Sequence, residues 1–344
     1  MFYIRADANE IIGTGHIMRC LSIAEELYRR GENVTFIVAD ERSEVLLKSK
    51  DFNVICLHSV WDDLEQEIES LIHVIKKNDI SVLLVDSYYV TELYLRMVRQ
   101  YTKIAYIDDM DSFIYPVDLL INYNMYADES EYAPKYRRAG IGTQFLIGPA
   151  YVPLRAEFTN IHKEIKQNVS KILITSGGAD TYNVVGSILD TLKEQPWFEQ
   201  LEYEVIIGGF NTHTCMLEAK WEQCENVHLL KNVSNISEYM KSCDIAVTAG
   251  GVTTYELCAC GIPSIMYALA DNQIQIAQTV SRRGLIPWVG DIRYELENCM
   301  KDIVLYLEEL MSDVRQRKDI SERMQKLVDG SGCKRLVGEL RSIV

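Results

Sequence analysis

The sequence is poor in the features that mark membrane and metal-binding proteins. None of its apolar runs approaches the roughly 20 residues of a membrane-spanning helix, and no basic stretch precedes an apolar core at the N-terminus. Its nine cysteines include no C-x-x-C pair, and its six histidines include no H-x-x-x-H spacing. We therefore expect a cytoplasmic protein with no membrane span and no bound metal.

Basic residues are also scarce, since 35 Lys and Arg face 50 Asp and Glu and the formal net charge is −15. Non-specific binding to nucleic acid or to an anionic membrane needs a basic surface, so we expect neither partner. One anionic small molecule remains compatible with this charge, because backbone amides at helix starts can hold phosphate groups.

Several cofactor and nucleophile motifs are missing. There is no P-loop and no G-x-S-x-G sequence, and Gly13-Thr14-Gly15 lacks the third glycine of the dinucleotide fingerprint. A nicotinamide enzyme is therefore disfavoured, and we expect no cofactor.

What the sequence does contain is a regular alternation of short β-branched runs with longer amphipathic runs, which is typical of βαβ units and a parallel sheet. The predicted strands are 2–6, 33–38, 54–57, 82–86, 103–108, 119–122, 171–175, 203–207, 227–230, 244–248, 264–266 and 285–289. The predicted helices are 18–30, 43–50, 62–78, 91–101, 183–194, 214–222, 236–242, 253–260, 272–283 and the helical region 294–343.

At 344 residues the chain is long enough for two domains. We expect two doubly wound α/β domains in tandem, 1–155 and 170–320, joined by a charged linker over 156–169 and followed by a helical tail over 321–344. Ligands of open parallel sheets bind outside the carboxyl ends of the strands, so two such rims predict a cleft between the domains. We expect a monomer.

Gly13-Thr14-Gly15-His16 joins the first predicted strand to the first predicted helix. Glycine lets the backbone approach a ligand, and a helix start attracts negative charge. His16 at this turn is a candidate general base. The alternative is an ordinary helix-entry turn with a histidine that caps or packs.

Other polar side chains of the first half lie at the ends of strands, within the first strand or on the first helix. The carboxylates can bind sugar hydroxyls or orient His16, although an Asp at a strand end often caps the next helix. The arginines can pair with phosphate or with these acids. This set comprises Arg5, Asp7, Arg19, Asp86, Tyr88, Asp108 and Asp109.

In the second half, Gly250 and Gly251 end a strand, and Thr253, Thr254 and Glu256 begin a helix. Such a turn can direct N–H groups and hydroxyls at a diphosphate, and an acidic residue one turn later can bind a ribose diol. The alternative is a capped helix whose dipole Glu256 complements.

Two further turns follow strands of the second half. Gly177 and Gly178 can supply backbone donors to a phosphate or a sugar, or can form a tight strand–helix turn. Asn272 and Gln273 follow the strand after the glycine–threonine turn, close enough in the fold to touch the same ligand. Taken alone, that turn is more often a helix cap.

With these turns in place, the chain resembles the nucleotide-sugar hydrolases of pseudaminic acid biosynthesis, which remove UDP from UDP-2,4-diacetamido-2,4,6-trideoxy-β-L-altropyranose, and related spore-coat polysaccharide proteins. The resemblance covers nearly the whole chain, although Ser87 stands where the family often has His. The matching segments are Ile4-Arg5-Ala6-Asp7, Gly13-Thr14-Gly15-His16-Ile17-Met18-Arg19, Val85-Asp86-Ser87-Tyr88, Ile107-Asp108-Asp109, Asn122-Tyr123-Asn124, Gly148-Pro149-Ala150-Tyr151-Val152-Pro153-Leu154-Arg155, Gly177-Gly178-Ala179-Asp180, Ala249-Gly250-Gly251 with Glu256, and Ala270-Asp271-Asn272-Gln273.

The resemblance implies two facing Rossmann-like domains of the GT-B glycosyltransferase type, with UDP on the second domain. We expect a hydrolase in which His16 activates water for inverting attack at the anomeric carbon, Asp7 or Asp86 orients His16, and Tyr88 holds the sugar or the water. The other expected substrate-binding residues are Gly13, Gly15, Arg19, Asp109, Asn124, Arg155, Asn272 and Gln273. The expected UDP-binding residues are Gly177, Gly178, Gly250, Gly251, Thr253, Thr254 and Glu256.

Two other functions fit the same residues. A glycosyltransferase would use the same UDP site and base but would deliver an acceptor hydroxyl instead of water. A regulator that only binds nucleotide sugars would have little use for a base at the glycine turn.

Overall fold

The computed structural model describes residues 1–9, 11–231, 233 and 235–344. The chain divides into two units, of which unit 1 is Met1–Ala156 with Ser331–Val344 and unit 2 is Glu157–Gly330. Each unit contains one parallel β-sheet with helices between its strands.

Unit 1 contains a seven-stranded sheet in the order β3-β2-β1-β4-β5-β6-β7, in which every neighbouring pair is parallel. Four of its five inner strands are buried along their whole length, and in the fifth, β5, only Lys103 is exposed, as expected when helices cover both faces. The strands are β1 (Phe2–Ala6), β2 (Val34–Val38), β3 (Asn53–Cys56), β4 (Val82–Asp86), β5 (Lys103–Ile107), β6 (Leu119–Asn122) and β7 (Gln144–Ile147). The helices are α1 (Gly15–Arg29), α2 (Glu44–Lys48), α3 (Ile68–Lys77), α4 (Glu92–Val98) and α5 (Glu129–Ala139).

Unit 2 contains a six-stranded parallel sheet in the order β10-β9-β8-β11-β12-β13. The strands are β8 (Lys171–Thr175), β9 (Glu202–Ile207), β10 (Val227–Lys231), β11 (Ile245–Ala249), β12 (Ser264–Ala268) and β13 (Trp288–Asp291). The helices are α6 (Val184–Lys193), α7 (Thr214–Trp221), α8 (Ile236–Ser242), α9 (Val252–Cys260), α10 (Asp271–Arg282), α11 (Ile292–Ser312) and α12 (Val314–Leu327).

The last helix, α13 (Gly332–Ser342), returns to unit 1, where it packs against α1 and the 3-10 turn Pro149–Tyr151. By contrast, α12 packs on α9 in unit 2. The segment 321–344, which the sequence suggests is one tail, is therefore shared between the two units. Helical periodicity reveals that a segment is amphipathic, but it does not reveal which partner its apolar face will contact.

The direction of winding reverses between β1 and β4 in unit 1 and between β8 and β11 in unit 2. Open α/β sheets bind ligands at the carboxyl ends of the strands beside such a reversal. In unit 1 these ends lead to Asp7 and Asp86, and in unit 2 they lead to Ser176 and Gly250. Polar or glycine residues thus follow the strands at both reversal points.

The predicted fold class, two doubly wound parallel α/β domains, is confirmed. Two elements of unit 1 were not predicted, α5 and β7. Helix α5 contains Pro134 and buries only Tyr132 and Tyr136, so its apolar pattern is weak. Among the described residues, no helix combines the length and the apolar character needed to cross a membrane.

Candidate functional site

His16 lies in the first turn of α1, behind the glycine turn that follows β1. Gly13 has a φ of 69°, which favours glycine, and its N–H donates to the Asn9 carbonyl at 2.9 Å. Helix α1 begins at Gly15, so His16 is helical rather than part of the preceding turn. The imidazole is buried but lines a small cavity with Asp7 and Tyr88.

Asp86, the last residue of β4, orients His16. His16 Nδ1 lies 2.6 Å from Asp86 Oδ1. A carboxylate accepts the Nδ1 proton, so the neutral ring carries its lone pair on Nε2 and can accept a proton there. The Tyr88 ring meets the imidazole edge-on, with the ring centroids 4.4 Å apart. This arrangement has the base and orienting group of a general-base site.

The charge on Asp86 is strongly stabilised. Burial alone would raise the pKa of Asp86, but the Arg19 guanidinium and His16 outweigh burial and hold it well below its usual range. Cys20 Sγ donates to the same carboxylate at 3.4 Å. Asp86 is therefore an anion near neutral pH, and it stays an acceptor for His16.

Arg19 links Asp86 to the end of β5. Its Nη1 atom donates to Asp109 Oδ2 and to the Tyr123 hydroxyl, both at 2.7 Å. Asn124 Nδ2 in turn donates to Asp109 Oδ1 at 3.1 Å. The structure thus brings together three predicted substrate-binding residues, Arg19, Asp109 and Asn124, but it pairs them with one another.

Asp7 belongs to a different network. Its carboxylate forms an ion pair with Arg5 and accepts the Ala39 N–H at 2.8 Å. Arg5 is fully buried and also binds Glu67 through two hydrogen bonds of 2.7 Å. Of the two candidates for orienting His16, Asp86 makes the contact, and Asp7 only lines the same cavity.

Tyr88 is the most exposed member of the group, with 45% of its surface accessible. Burial of its hydroxyl, followed by the Asp109 charge, raises the pKa of Tyr88 to about 12. The phenol therefore keeps its proton near neutral pH and can donate a hydrogen bond to a ligand oxygen.

Two other polar residues of unit 1 lie outside this group. Asp108 is buried, and its carboxylate accepts the N–H groups of Met110 and Asp111 and the Tyr132 hydroxyl. It therefore caps the turn between β5 and β6 rather than the start of a helix. Arg155 is partly exposed and lies after the 3-10 turn Pro149–Tyr151.

In unit 2, Gly250 and Gly251 join β11 to α9. Gly251 has a φ of 130°, which excludes other residues without strain, and it directly precedes the helix. Gly250 is buried and its N–H already donates to the Tyr267 carbonyl at 2.9 Å. Gly251 and the first turn of α9 are thus better placed than Gly250 to meet an anion.

The two threonines of this turn differ. Thr253 is partly exposed, whereas Thr254 is completely buried and its hydroxyl lies 3.8 Å from Met266 Sδ. Helical geometry turns the Thr254 side chain into the core, so of the two threonines it is Thr253 whose side chain reaches the surface of the turn. Glu256 is 9% exposed and lies on the same helix.

Gln273 packs against Gly250 in the glycine turn. A Cβ atom on Gly250 would lie 3.0 Å from Gln273 Cβ, and Gln273 Oε1 accepts the Leu269 N–H at 2.7 Å. Gln273 is therefore held by the protein, while Asn272 is exposed in the first turn of α10. The structure confirms that the two turns are neighbours.

The turn after β8 contains a polar atom that sequence reasoning overlooked. Ser176 is 4% exposed, and its hydroxyl has no hydrogen-bond partner among the described residues. Gly177 follows with a φ of 80°, and the N–H of Phe210 donates to the Gly178 carbonyl at 3.0 Å. A buried hydroxyl without a partner at a sheet reversal point is available to a ligand.

The described residues contain one cluster with the donor types of a metal site, Glu202, Glu204 and His228 on β9 and β10. Lys171 Nζ already lies 2.6 Å from Glu202 and 3.4 Å from Glu204. A lysine thus occupies the position of a cation between these carboxylates. The cluster also lies on the strands themselves rather than at their carboxyl ends.

No protein-family model matches the chain. In sequence it is similar to the spore coat polysaccharide biosynthesis protein SpsG of Bacillus subtilis, with 24% identity over 99% of this chain and 97% of that protein. It is also similar to a pseudaminic acid cytidylyltransferase and UDP-2,4-diacetamido-2,4,6-trideoxy-beta-L-altropyranose hydrolase of Helicobacter pylori, with 26% identity. That second match covers 60% of this chain and 39% of the longer protein.

Solved structures match over almost the whole chain. MurG of Acinetobacter baumannii superposes with a TM-score of 0.73 at 11% identity, covering 99% of each chain. The spinosyn rhamnosyltransferase SpnG complexed with thymidine diphosphate matches with a TM-score of 0.63 at 12% identity, covering 98% of this chain and all of that one. The chain therefore has the fold of the GT-B glycosyltransferases and is distantly related to proteins of spore-coat polysaccharide and pseudaminic acid biosynthesis.

Proposed function

We propose that this protein transfers the glycosyl group of a nucleotide sugar to an acceptor hydroxyl in the biosynthesis of a surface polysaccharide. The observation that carries the proposal is the buried His16–Asp86 pair at the reversal point of the unit 1 sheet. The GT-B fold of the chain and the role of its relative SpsG in spore coat polysaccharide biosynthesis support the same class of chemistry.

In the proposed reaction His16 is the general base. The acceptor oxygen forms a bond to the anomeric carbon while its proton moves to His16 Nε2. The bond between the anomeric carbon and the diphosphate oxygen breaks, and its electron pair leaves with the nucleoside diphosphate. Attack opposite the leaving group inverts the anomeric centre. Asp86 stabilises the imidazolium that forms, and the Tyr88 hydroxyl binds the sugar or the acceptor.

Nucleotide binding is assigned to unit 2. Gly251, Thr253 and the start of α9 provide donors for the diphosphate, since helix N-termini favour anions. Glu256 is assigned to the ribose hydroxyls. The unpartnered hydroxyl of Ser176, beside Gly177 and Gly178, supports a second phosphate or sugar contact at the end of β8.

A second candidate is hydrolysis, in which water replaces the acceptor. The specific observation in its favour is the Helicobacter pylori relative, whose name includes a UDP-sugar hydrolase and which aligns with 60% of this chain. The base, the leaving group and the inversion are the same in both reactions. The two candidates differ only in the nucleophile.

Release of UDP separates the candidates. The protein is incubated with a panel of UDP-linked sugars, including 2,4-diacetamido-2,4,6-trideoxy sugars, with and without lipid-linked or free sugar acceptors, and the product anomer is followed by NMR. UDP release that requires an acceptor supports transfer, and release of free sugar without acceptor supports hydrolysis. Binding of UDP-sugars without turnover under any condition would contradict both.

A further inference from the structure

Four of the five N–H groups of Arg19 donate to protein acceptors, and the fifth, on Nη2, cannot donate to His16 Nδ1 while that atom carries its own proton. Its Nε atom donates to Asp86 Oδ2 at 2.6 Å and its Nη2 atom donates to Asp86 Oδ1, so the guanidinium grips this carboxylate with two hydrogen bonds. Its Nη1 atom donates to both Asp109 and Tyr123. Its Nη2 atom also lies 3.1 Å from His16 Nδ1, and the side chain is 9% exposed.

These contacts argue against the role in substrate binding that the sequence predicts for Arg19. An arginine that binds a phosphate must present at least one edge of its guanidinium to solvent. Here one edge is occupied by Asp86 and the other by Asp109 and Tyr123. The arginine therefore acts on the protein and not on a ligand.

The charges explain what Arg19 does for Asp86. Arg19 lies between two carboxylates, Asp86 and Asp109, and it forms ion pairs with both. Without the guanidinium, Asp86 would be a buried anion with a neighbouring like charge and would tend to take up a proton. A protonated Asp86 would lose acceptor strength toward His16 Nδ1, and the imidazole would no longer be held in one tautomer.

We propose that Arg19 is a positioning residue, which keeps Asp86 ionised and oriented so that His16 presents an unprotonated Nε2 as the base. Asp109 and Tyr123 hold Arg19 from the opposite edge. This inference rests on the proposed function for its kinetic consequence, but the effect on the imidazole is independent of any reaction.

The kinetic test is a double-mutant cycle with Arg19→Gln and His16→Asn. Arg29→Gln, on the same helix and in an ion pair with Glu26, is the matched control. We expect Arg19→Gln to lower kcat about 10- to 100-fold, with KM for the UDP-sugar nearly unchanged. This is the usual range for residues that orient a functional side chain through hydrogen bonds without touching the substrate. In the His16→Asn background the same change should have less than about a twofold effect.

A raised KM with unchanged kcat would overturn the proposal, because it would mean that Arg19 binds substrate. The proposal would also be overturned if the fold-losses in kcat of the two single variants multiplied in the double variant, because the two residues would then act independently. Arg19→Lys retains the charge but loses the bidentate hydrogen bonds to Asp86, so its kcat should lie between those of Arg19→Gln and the wild type.

The test without catalysis is 15N NMR of the histidine rings, with His16 assigned by the signal that disappears in His16→Asn. We expect a single Nδ1–H tautomer in the wild type and in Arg29→Gln, and a mixture of both tautomers in Arg19→Gln. An unchanged tautomer in a folded Arg19→Gln or Arg19→Lys variant refutes the proposal. If the wild type transfers no sugar but shows these tautomer changes, the proposed function fails and the role of Arg19 stands.

Discussion

His16 Nδ1 lies 2.6 Å from Oδ1 of Asp86, which joins the first helix of unit 1 to the carboxyl end of β4 across 70 positions of sequence. Because Asp86 is buried and ionised, it determines both the orientation and the tautomer of the ring. The chemistry proposed for this protein depends on that one hydrogen bond.

Replacing either partner should abolish most of the activity. We expect His16→Asn and Asp86→Asn each to lower turnover by at least ~10²-fold, because the first removes the base and the second removes the acceptor that sets its tautomer. His73→Asn, an exposed histidine on α3, is the matched control and should retain full turnover. Steady-state UDP release measures the effect, and near-normal turnover of folded His16→Asn would contradict the assignment of the base.

Substitutions in the glycine turn of unit 2 should weaken UDP binding. Glu256→Gln removes the charge proposed for the ribose, and Gly251→Ala introduces a Cβ at a φ of 130°. We expect each to lower the affinity for UDP by about tenfold or more. Glu238→Gln, which removes an exposed carboxylate on α8, should leave it unchanged. Calorimetry provides the affinities, and equal values for Glu256→Gln and the control would argue against the ribose contact.

The stability of the protein should depend on Asp86 in acid. Its pKa is lowered in the folded protein, so its stabilising contribution is present above the ordinary value of about 3.9 and is lost as the pH falls toward the folded value. The difference in unfolding free energy between wild type and Asp86→Asn should therefore shrink as the pH falls below about 4. Urea unfolding at a series of pH values tests this, and a difference that grows in acid would have the wrong sign.

Gly208 should tolerate no side chain. A Cβ atom there would lie 2.2 Å from the Gly177 carbonyl oxygen and 2.4 Å from that of Gly178, which are backbone atoms that cannot rotate away. We expect Gly208→Ala to destabilise the protein by about 1–3 kcal/mol. Gly209→Ala, which would meet nothing within 4 Å, should change stability by less than about 1 kcal/mol.

Thermal unfolding compares the two alanine variants. Because the turn that Gly208 touches is the one proposed to bind nucleotide, Gly208→Ala should also reduce the stabilisation that UDP provides. Equal melting temperatures for the two variants would contradict the prediction, because they would mean that the turn at Gly208 can move away from Gly177 and Gly178 without loss of stability.

Strand and helix positions follow closely from local pattern. Strands β1, β4, β6 and β8 have the predicted limits, because each is a short and mostly apolar run. The start of α1 was placed at residue 18, since two glycines precede it, yet the helix begins at Gly15 and includes His16. Glycine disfavours helix only weakly, so tertiary contacts readily override it.

The candidate site was foreseen in part. The residue types at the strand ends identified His16, Asp86 and Tyr88, and the structure brings these together. The sequence could not distinguish Asp7 from Asp86 as the partner of His16, because both follow strands. It also suggested that Arg19 binds substrate, whereas partners 67 and 90 positions away occupy its donors.

The order of amino acids alone therefore determines the alternation of strands and helices and the glycine-rich and polar turns at the strand ends, since each depends on neighbours within a few residues. Strand order, the return of α13 to unit 1 and the pairing of Asp86 with His16 and Arg19 are decided only when the chain folds. The physical reason is that burial and charge compensation act between groups that are close in space. The local sequence pattern does not predict which residues that are distant in sequence come into contact.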